Sequence, residues 1–317
     1  MLRALVADLA SIGEHEIVTT AAPGVHIDVS DGVHVVTLSS LSKDFDRLVS
    51  SVDGVWLVAP EMDRCLERLA RRVEQGGKTL FGPGAEAIRR ASDKAALVRS
   101  LHNADVSCPP TVSLTRHGDS TTAARRLGYP VVVKPRRGAG CCGVSLARND
   151  TELKRAVALA RATNENEAIL LQRYVPGVAA SVSLLAGGGR AVALTLNRQR
   201  ISHAQQFAYQ GGTTPFDHPM SDLARETAVR AVESLPGLRG YVGVDLVLTK
   251  TDAVVIEVNP RLTTAYLGVR AVTKQNVAAL AIAACEGSLP RALSVRGCAR
   301  FTPAGRIEAI STSSVRP

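Results

Sequence analysis

The 317-residue sequence is poor in aromatic residues, since Phe, Trp and Tyr together make up 3% of it. Single-stranded nucleic acids are usually bound by stacking bases on exposed aromatic rings, so this scarcity argues against such a surface. The formal net charge is +9, yet the basic residues are spread along the chain without a long run. A diffuse excess of this kind suits small anions such as phosphates and carboxylates, and we expect no nucleic-acid partner.

Cysteine pairs with metal-binding or redox spacing are also missing. The six cysteines, at positions 65, 108, 141, 142, 285 and 298, include no Cys-x-x-Cys pair. The N-terminus mixes charged residues into a helical pattern, unlike a secretory signal. The apolar stretch 277–285 is far too short to cross a bilayer. We therefore expect a cytoplasmic protein without a membrane partner.

Hydrophobic patterning predicts an α/β chain built from several lobes. Residues 1–90 alternate helix-like and strand-like runs, which is typical of a small parallel lobe, although the chain opens in a helix with no strand before it. Residues 91–175 are predicted to form a second lobe and residues 176–290 a third, followed by a tail, 291–317, with β character. Within the third lobe we expect an irregular polar stretch at 197–212 and one helix over 264–286.

Three oxygen-bearing side chains lie on two strand-like runs near the C-terminal end. Asp245 lies in the first run, and Glu257 and Asn259 share one face of the second, because side chains alternate along a strand. If the runs pair as a hairpin, these side chains converge as the hard oxygen ligands that suit Mg²⁺ or Mn²⁺. Arg261 follows as a fixed cation for phosphate charge. The alternative is that these polar side chains lie on a solvated strand face. The run around Glu257 and Asn259 is otherwise apolar enough to be core, which argues against this alternative.

A β-branched run, 131–133, leads into a lysine and a glycine-rich turn. Lys134 ends the run, and Gly138, Gly140 and Gly143 follow it. Glycine lets backbone N–H groups approach phosphate oxygens, and Lys134 would counter their charge. The turn is not a P-loop, because no Gly-Lys-Ser/Thr follows. The alternative is an ordinary hairpin turn without a binding role. A lysine at the end of the preceding strand favours phosphate binding over this alternative.

The segment 172–177 ends a strand at a Pro-Gly pair and leaves backbone groups free at the strand end. Such an end is suited to reading an adenine ring. Gln172 would accept from the exocyclic amine and the Val175 N–H would donate to the ring, with Tyr174 between them. A plain linker between lobes explains the segment equally well.

Taken in order, these segments resemble the ATP-grasp enzymes. The resemblance covers about residues 55–290 and is carried by Ser92-Asp93-Lys94, Lys134 with its glycine turn, the segment 172–177, Asp245, Glu257 and Asn259-Pro260-Arg261. It implies a Rossmann-like pre-ATP-grasp lobe, a small lid lobe with the glycine turn and a C-terminal catalytic lobe.

The same resemblance implies how ATP would be held between the lobes. Lys94 and Lys134 would contact its phosphates, and the turn 138–143 would close over them. Asp245, Glu257 and Asn259 would hold two Mg²⁺ ions, and Arg261 would stabilise the transferring phosphate.

Within that family the chain is most similar to the tyramine–glutamate ligases of methanofuran-type cofactor synthesis. The similar segments are 57–61, 92–94, 178–185 and 259–266. The resemblance implies that ATP activates a carboxylate as an acyl phosphate and that an amine displaces phosphate to form an amide. The partners would be L-glutamate and tyramine or a similar aromatic amine, with a homodimer as one expected assembly. A ligase or carboxylase for other substrates, and an inactive nucleotide-binding module, remain as alternatives.

The acceptor site is predicted beside the metal face, in the polar stretch of the third lobe. Its candidate residues are Arg198, Tyr209, Gly211 and Gly212, and Glu61 of the first lobe is a candidate contact for the amine. A bidentate contact from Arg198 would suit a carboxylate. A solvated loop is the alternative for any one of these residues.

Three features depart from the family pattern. Ala179 and Ala180 lie where many members carry a ribose-binding glutamate, and Gly243 lies where some carry an arginine. Related chains also begin with a strand and a glycine-rich turn that this sequence does not show, so we expect the first lobe to lack its first strand. These departures put ribose recognition and one phosphate contact in question.

Overall fold

The computed structural model of the chain describes residues 1–164, 167–203, 206–291 and 293–310. Its first lobe consists of α1 (Leu2–Ala10), β1 (Ile17–Ala21), β2 (Val33–Thr37), α2 (Leu41–Ser50), β3 (Gly54–Val55), α3 (Cys65–Gln75), β4 (Thr79–Leu80) and α4 (Ala85–Ser92). Strands β1 and β2 pair in parallel, as do β3 and β4. The predicted parallel character is therefore present in two separate two-stranded sheets.

The small lobe contains α5 (Lys94–Asn103), β5 (Thr111–Leu114), α6 (Ser120–Leu127), β6 (Val131–Pro135), β7 (Ser145–Ala147), α7 (Asp150–Thr163) and β8 (Ile169–Arg173). Its strands form an antiparallel sheet in the order β5-β8-β6-β7. Helices α6 and α7 bury their apolar faces against this sheet, around Val131, Leu153 and Leu171. Asp93 caps α5 by accepting from two backbone N–H groups, which fixes where Lys94 begins the helix.

The third lobe is built on β9 (Val178–Gly187), β10 (Arg190–His203), β11 (Phe207–Thr214), α8 (Ser221–Glu233), β12 (Gly240–Leu248), β13 (Ala253–Asn259), α9 (Tyr266–Val272), α10 (Val277–Cys285), β14 (Cys298–Phe301) and β15 (Ile307–Ile310). Its strands form one antiparallel sheet in the order β13-β12-β9-β10-β11-β14-β15. Helices α4, α5 and α8 share a core with one face of this sheet, and α1, α9 and α10 share a core with the other. In the described ranges, no helix is both long and apolar enough to cross a bilayer.

Several local predictions were wrong. The stretch 197–212 is not irregular: it lies mostly in the paired strands β10 and β11, along which exposed and partly buried residues alternate. The predicted helix 264–286 is two helices, because the chain turns extended at Thr273 and the Asn276 side chain caps α10. In the first lobe the apolar run 55–59 predicts a buried strand, but β3 ends at Val55, and helix α4 was not predicted.

The segment 291–317, predicted as a tail with β character, contributes the last two strands at one end of the large sheet: β14 pairs with β11, and β15 forms the edge. Phe301 on β14 is buried against the third lobe. Residues 292 and 311–317 of this segment lie outside the described residues.

Candidate active site

The structure brings Asp245, Glu257 and Asn259 together on neighbouring strands. Asp245 on β12 is paired directly with Glu257 on β13, and Gly243 with Asn259. The Asn259 side-chain amide Nδ2 donates to Asp245 Oδ2 at 3.1 Å, and this orientation leaves the Asn259 oxygen free to bind a cation. Gln199 on β10 donates to the other oxygen of Asp245 at 2.8 Å. Sequence reasoning missed Gln199, whose only signal was its place in a polar stretch.

Two lysines approach these groups from the small lobe. Lys94 Nζ lies 2.9 Å from Glu257 Oε1 and also donates to the carbonyl oxygen of Gly138 at 3.1 Å. Lys134, at the end of β6, is buried and donates to Gln172 Oε1 at 2.9 Å. Both lysines predicted to contact phosphate therefore lie at the junction between the lobes.

Gln172 acts here as a partner of Lys134. Its oxygen accepts from that lysine, and its nitrogen donates to Thr111 Oγ1 at 2.9 Å. Tyr174 is half-buried, with its backbone N–H donating to the Pro130 carbonyl, and Val175 is half-buried beside it. Recognition of adenine by the segment 172–177 stays a prediction.

Burial and charge shift the protonation of this cluster. Burial, followed by the neighbouring Glu257 carboxylate, raises the pKa of Asp245 to about 7, against the opposing effect of the hydrogen bonds from Asn259 and Gln199. Burial also acts to raise the pKa of Glu257, but the charges of Lys94, Lys134 and Arg261 hold it below its ordinary value. Burial lowers the pKa of Lys134 to about 8, with the Lys94 charge as a second cause.

The donor set fits a magnesium ion that is partly bound by phosphate. Among the described residues no cluster of three or more His, Cys, Asp and Glu side chains can hold a metal by itself. Two carboxylates and one amide oxygen fit Mg²⁺, which usually keeps waters and takes substrate phosphates as further ligands. A divalent cation would also relieve the repulsion between the two partly buried carboxylates, which raises the pKa of Asp245.

The glycine-rich turn lies over the cluster. Gly140 and the following Cys141 both adopt left-handed backbone conformations, with φ of 65°, so the turn is tightly bent. Burial, followed by the charges of Glu257 and Asp245, raises the pKa of the Cys141 thiol to about 11, which keeps the thiol protonated. At the edge of the turn the Val144 carbonyl accepts from the Phe207 N–H, which joins the small lobe to β11.

Of the predicted acceptor residues, one lies near the carboxylate cluster and the others take part in the packing of the sheet. Burial and the Asp245 charge both raise the pKa of Tyr209, which lies near the carboxylate cluster. The Arg198 guanidinium lies 5.6 Å from the centre of the Phe216 ring. Gly211 and Gly212 allow close packing of β11 between its neighbours: a Cβ at Gly211 would clash with the Phe301 carbonyl oxygen on β14, and a Cβ at Gly212 with the Arg198 carbonyl oxygen on β10. Their contact with substrate stays a prediction.

Arg261 is held by an acidic residue from the first lobe. Its Nε donates to Glu61 Oε1 at 2.8 Å, and its Nη1 donates to the Leu262 carbonyl at 3.0 Å. Glu61 is 4% exposed. Burial raises its pKa against the opposing charge of Arg261. Both residues were predicted from the sequence as site residues, but their contact was not, because 200 positions separate them.

Family comparisons agree with this arrangement. A model described as "ATP-grasp domain" matches residues 91–265, and one described as "pre ATP-grasp 3 domain" matches residues 15–88. The chain belongs to the ATP-grasp family.

Individual relatives differ in what they catalyse. The chain is 28% identical over 220 residues to tyramine–L-glutamate ligase from Methanocaldococcus jannaschii, a match covering 69% of this chain and 59% of the relative. It is 27% identical over 202 residues to the carbamoyl phosphate synthase large chain from Pseudomonas syringae pv. tomato, covering 61% of this chain and 18% of the relative. The chain thus spans less than two thirds of either relative.

Among solved structures, a biotin carboxylase from Campylobacter jejuni, in a complex titled "Biotin Carboxylase-beta-gamma-ATP", superposes with a TM-score of 0.78. The identity is 18%, and the match covers 95% of this chain and 72% of that one. This likeness concerns the fold.

Proposed function

We propose that this chain is an ATP-dependent carboxylate–amine ligase that joins L-glutamate to tyramine or a similar aromatic amine through an acyl phosphate. The observation that carries the proposal is the convergence of Asp245, Glu257 and Asn259 opposite Lys94, with Lys134 close by. Oxygen ligands for a cation and two fixed ammonium groups are what phosphoryl transfer needs, since positioning and charge stabilisation supply most of its catalysis. Similarity to the tyramine–L-glutamate ligase supports the choice of substrates.

In the first step, a substrate carboxylate oxygen attacks the γ-phosphorus of ATP and ADP leaves. Lys94 and Lys134 would neutralise the phosphate oxygens, and Arg261 would donate to the transferring phosphoryl group. Asp245, Glu257 and Asn259 would hold Mg²⁺, which would supply positive charge to offset that of the phosphates.

In the second step, the amine attacks the acyl carbon, the C–N bond forms, and phosphate leaves with the electron pair of the broken C–O bond and takes up the proton that the amine loses. Arg261 would stay on the departing phosphate. Tyr209, which lies near Asp245, would contact the amine. The cysteines have no role in this chemistry, because no covalent enzyme intermediate forms.

The test is ADP release from Mg·ATP with glutamate present, with and without tyramine. We expect release to require both substrates and to be lost in Glu257→Ala. Glu226→Ala, an exposed position on α8, is the matched control and should retain activity. Release that ignores tyramine, or that survives in Glu257→Ala, would contradict the proposal.

A second candidate is the same ATP chemistry with another carboxylate, such as bicarbonate. It is supported by the 27% identity with the carbamoyl phosphate synthase large chain. Bicarbonate-dependent ADP release without glutamate would favour this candidate over the first.

A further inference from the structure

Three buried polar atoms without a hydrogen-bond partner surround one small cleft. In the described part of the chain these atoms are Glu61 Oε2, Ser92 Oγ and Arg137 Nε. The cleft lies between the first lobe and the start of the glycine-rich turn and is lined by Glu61, Arg64, Glu67, Ile88, Ser92 and Arg137. Buried polar groups are almost always paired, because leaving them unpaired is costly. Their grouping at one place therefore indicates something that binds there.

The three atoms differ in a way that selects a ligand. Glu61 Oε2 belongs to a carboxylate and accepts hydrogen bonds, Ser92 Oγ both accepts and donates, and Arg137 Nε only donates. An ammonium group satisfies the first two, and a carboxylate satisfies the third. The head group of an α-amino acid carries both on one carbon atom.

The other charges around the cleft are already balanced. Arg64 is paired with Glu67 at 2.6 Å. The terminal nitrogens of Arg137 donate to Glu167 at 2.9 Å and to Asp93 at 3.0 Å, so its Nε alone lacks a partner. A ligand without net charge, such as a zwitterion, therefore suits the cleft better than a simple cation or anion.

The position of the cleft connects it to the candidate active site. Glu61 borders the cleft, and its Oε1 accepts from Arg261, the residue placed beside the transferring phosphate. A head group at Glu61 would direct the rest of the amino acid towards Arg261. Asp63 and Arg64, just after Glu61, have left-handed backbone conformations with φ of 50° and 55°. Strain of this kind in non-glycine residues is concentrated at functional sites.

We propose that this cleft binds the head group of the α-amino acid substrate, with Glu61 Oε2 and Ser92 Oγ holding its ammonium and Arg137 Nε holding its carboxylate. The proposal deepens the proposed ligase function and rests on it for the identity of the substrate. The side-chain carboxylate of the amino acid is then the group activated beside Arg261. In this structure the cleft is too narrow to hold a water molecule, so Arg137 and the glycine-rich turn beside it must move for the amino acid to enter.

Binding measurements by ligand-observed NMR, in the presence of Mg·ADP, test the site without turnover. The ligands are L-glutamate, glutarate, which lacks the ammonium, and 4-aminobutanoate, which lacks the α-carboxylate. Ser92→Ala should weaken L-glutamate and 4-aminobutanoate about tenfold and leave glutarate unchanged. Arg137→Lys should weaken L-glutamate and glutarate about tenfold and leave 4-aminobutanoate unchanged.

Two controls match these changes. Ser145→Ala removes another buried hydroxyl without a partner, on β7 away from the cleft. Arg136→Lys alters the neighbouring arginine, which also pairs with Asp93 but does not line the cleft. Both should bind all three ligands as the wild type does.

The outcomes separate the site from the proposed function. Selective weakening in a protein that makes no amide supports the site and refutes the ligase assignment. Amide formation with ligand affinities that neither variant changes selectively refutes the site. Absence of saturable glutamate binding to the wild type also overturns the site.

Discussion

Lys94 and Glu257 form an ion pair across the junction of two lobes, with Nζ 2.9 Å from Oε1. The same ammonium group donates to the carbonyl of Gly138 in the glycine-rich turn at 3.1 Å. One side chain therefore holds both a candidate metal ligand and the turn that covers it. Nucleotide phosphates entering the site would compete for these bonds, which links nucleotide binding to movement of the turn.

Lys94→Met removes both contacts of this ammonium group. We expect the affinity for Mg·ATP to fall about tenfold or more, since charge-assisted hydrogen bonds to phosphate are lost. We also expect faster hydrogen exchange in residues 138–143 of the nucleotide-free protein. Calorimetry and hydrogen–deuterium exchange measure the two effects, and Lys154→Met, exposed on α7, is the control. Unchanged hydrogen exchange in residues 138–143 would show that the Lys94 hydrogen bond to Gly138 does not hold the turn in place.

Lys134 should make nucleotide binding depend on pH. Burial lowers its pKa to about 8, so the free protein loses this positive charge as the pH rises past that value. Affinity for ATP should fall about tenfold between pH 7 and pH 9, in step with the charged fraction. Arginine stays charged over this range, so the ATP affinity of Lys134→Arg should not fall between pH 7 and pH 9, even if its affinity at pH 7 differs from that of the wild type. Calorimetry at three pH values measures this, and an equal fall in both proteins would exclude Lys134 as its source.

Asp245→Asn should stabilise the metal-free fold at alkaline pH. The carboxyl ionises near 3.8 in the unfolded chain, whereas burial and Glu257 raise its pKa to about 7 in the fold. Between about pH 4 and about pH 7 the folded state thus binds a proton that the unfolded chain has lost. The free energy of unfolding therefore falls as the pH rises from about 4 to about 7. With a chelator present, the variant should melt several degrees above the wild type at pH 8, and the difference should shrink towards pH 5.

Asp222→Asn, on the exposed surface of α8, is the matched control for this pH effect. It should melt as the wild type does at both pH values. A melting temperature of Asp245→Asn below that of the wild type at pH 8 would show that its hydrogen bonds outweigh the buried charge.

There is no room for a side chain at Gly243, because Thr263 fills the adjacent space. A Cβ at Gly243 would lie 2.5 Å from the Thr263 methyl carbon, too close for any real contact. Gly243→Ala should cost about 1–3 kcal/mol of unfolding free energy. Thr263→Ser removes the methyl, so the double variant should regain most of that loss. Denaturant unfolding of all four proteins measures the coupling, and strictly additive effects would exclude the clash.

Residues that carry chemistry were predictable where a strong local pattern surrounds them. Lys94 follows the helix-capping Asp93, and Lys134 ends a buried β-branched run, so their positions could be read from neighbouring residues. Contacts between distant segments could not be read in this way. The Glu61–Arg261 pair joins two lobes, and Gln199 reaches Asp245 from another strand, so only the packing of the fold brings them together.

The sequence by itself determined which oxygen and nitrogen ligands are available and in what order along the chain. The tertiary structure alone decided that Asp245 and Glu257 face each other. Between β12 and β13 the register shifts by one residue, so that Asp245 pairs with Glu257, Leu246 pairs with Val255, and Ile256 is left unpaired. Without this bulge Glu257 would lie opposite Val244, on the other face of the sheet. Side chains alternate with every residue, so one extra residue inverts the face, and the packing of the sheet against its helices selects which register is stable.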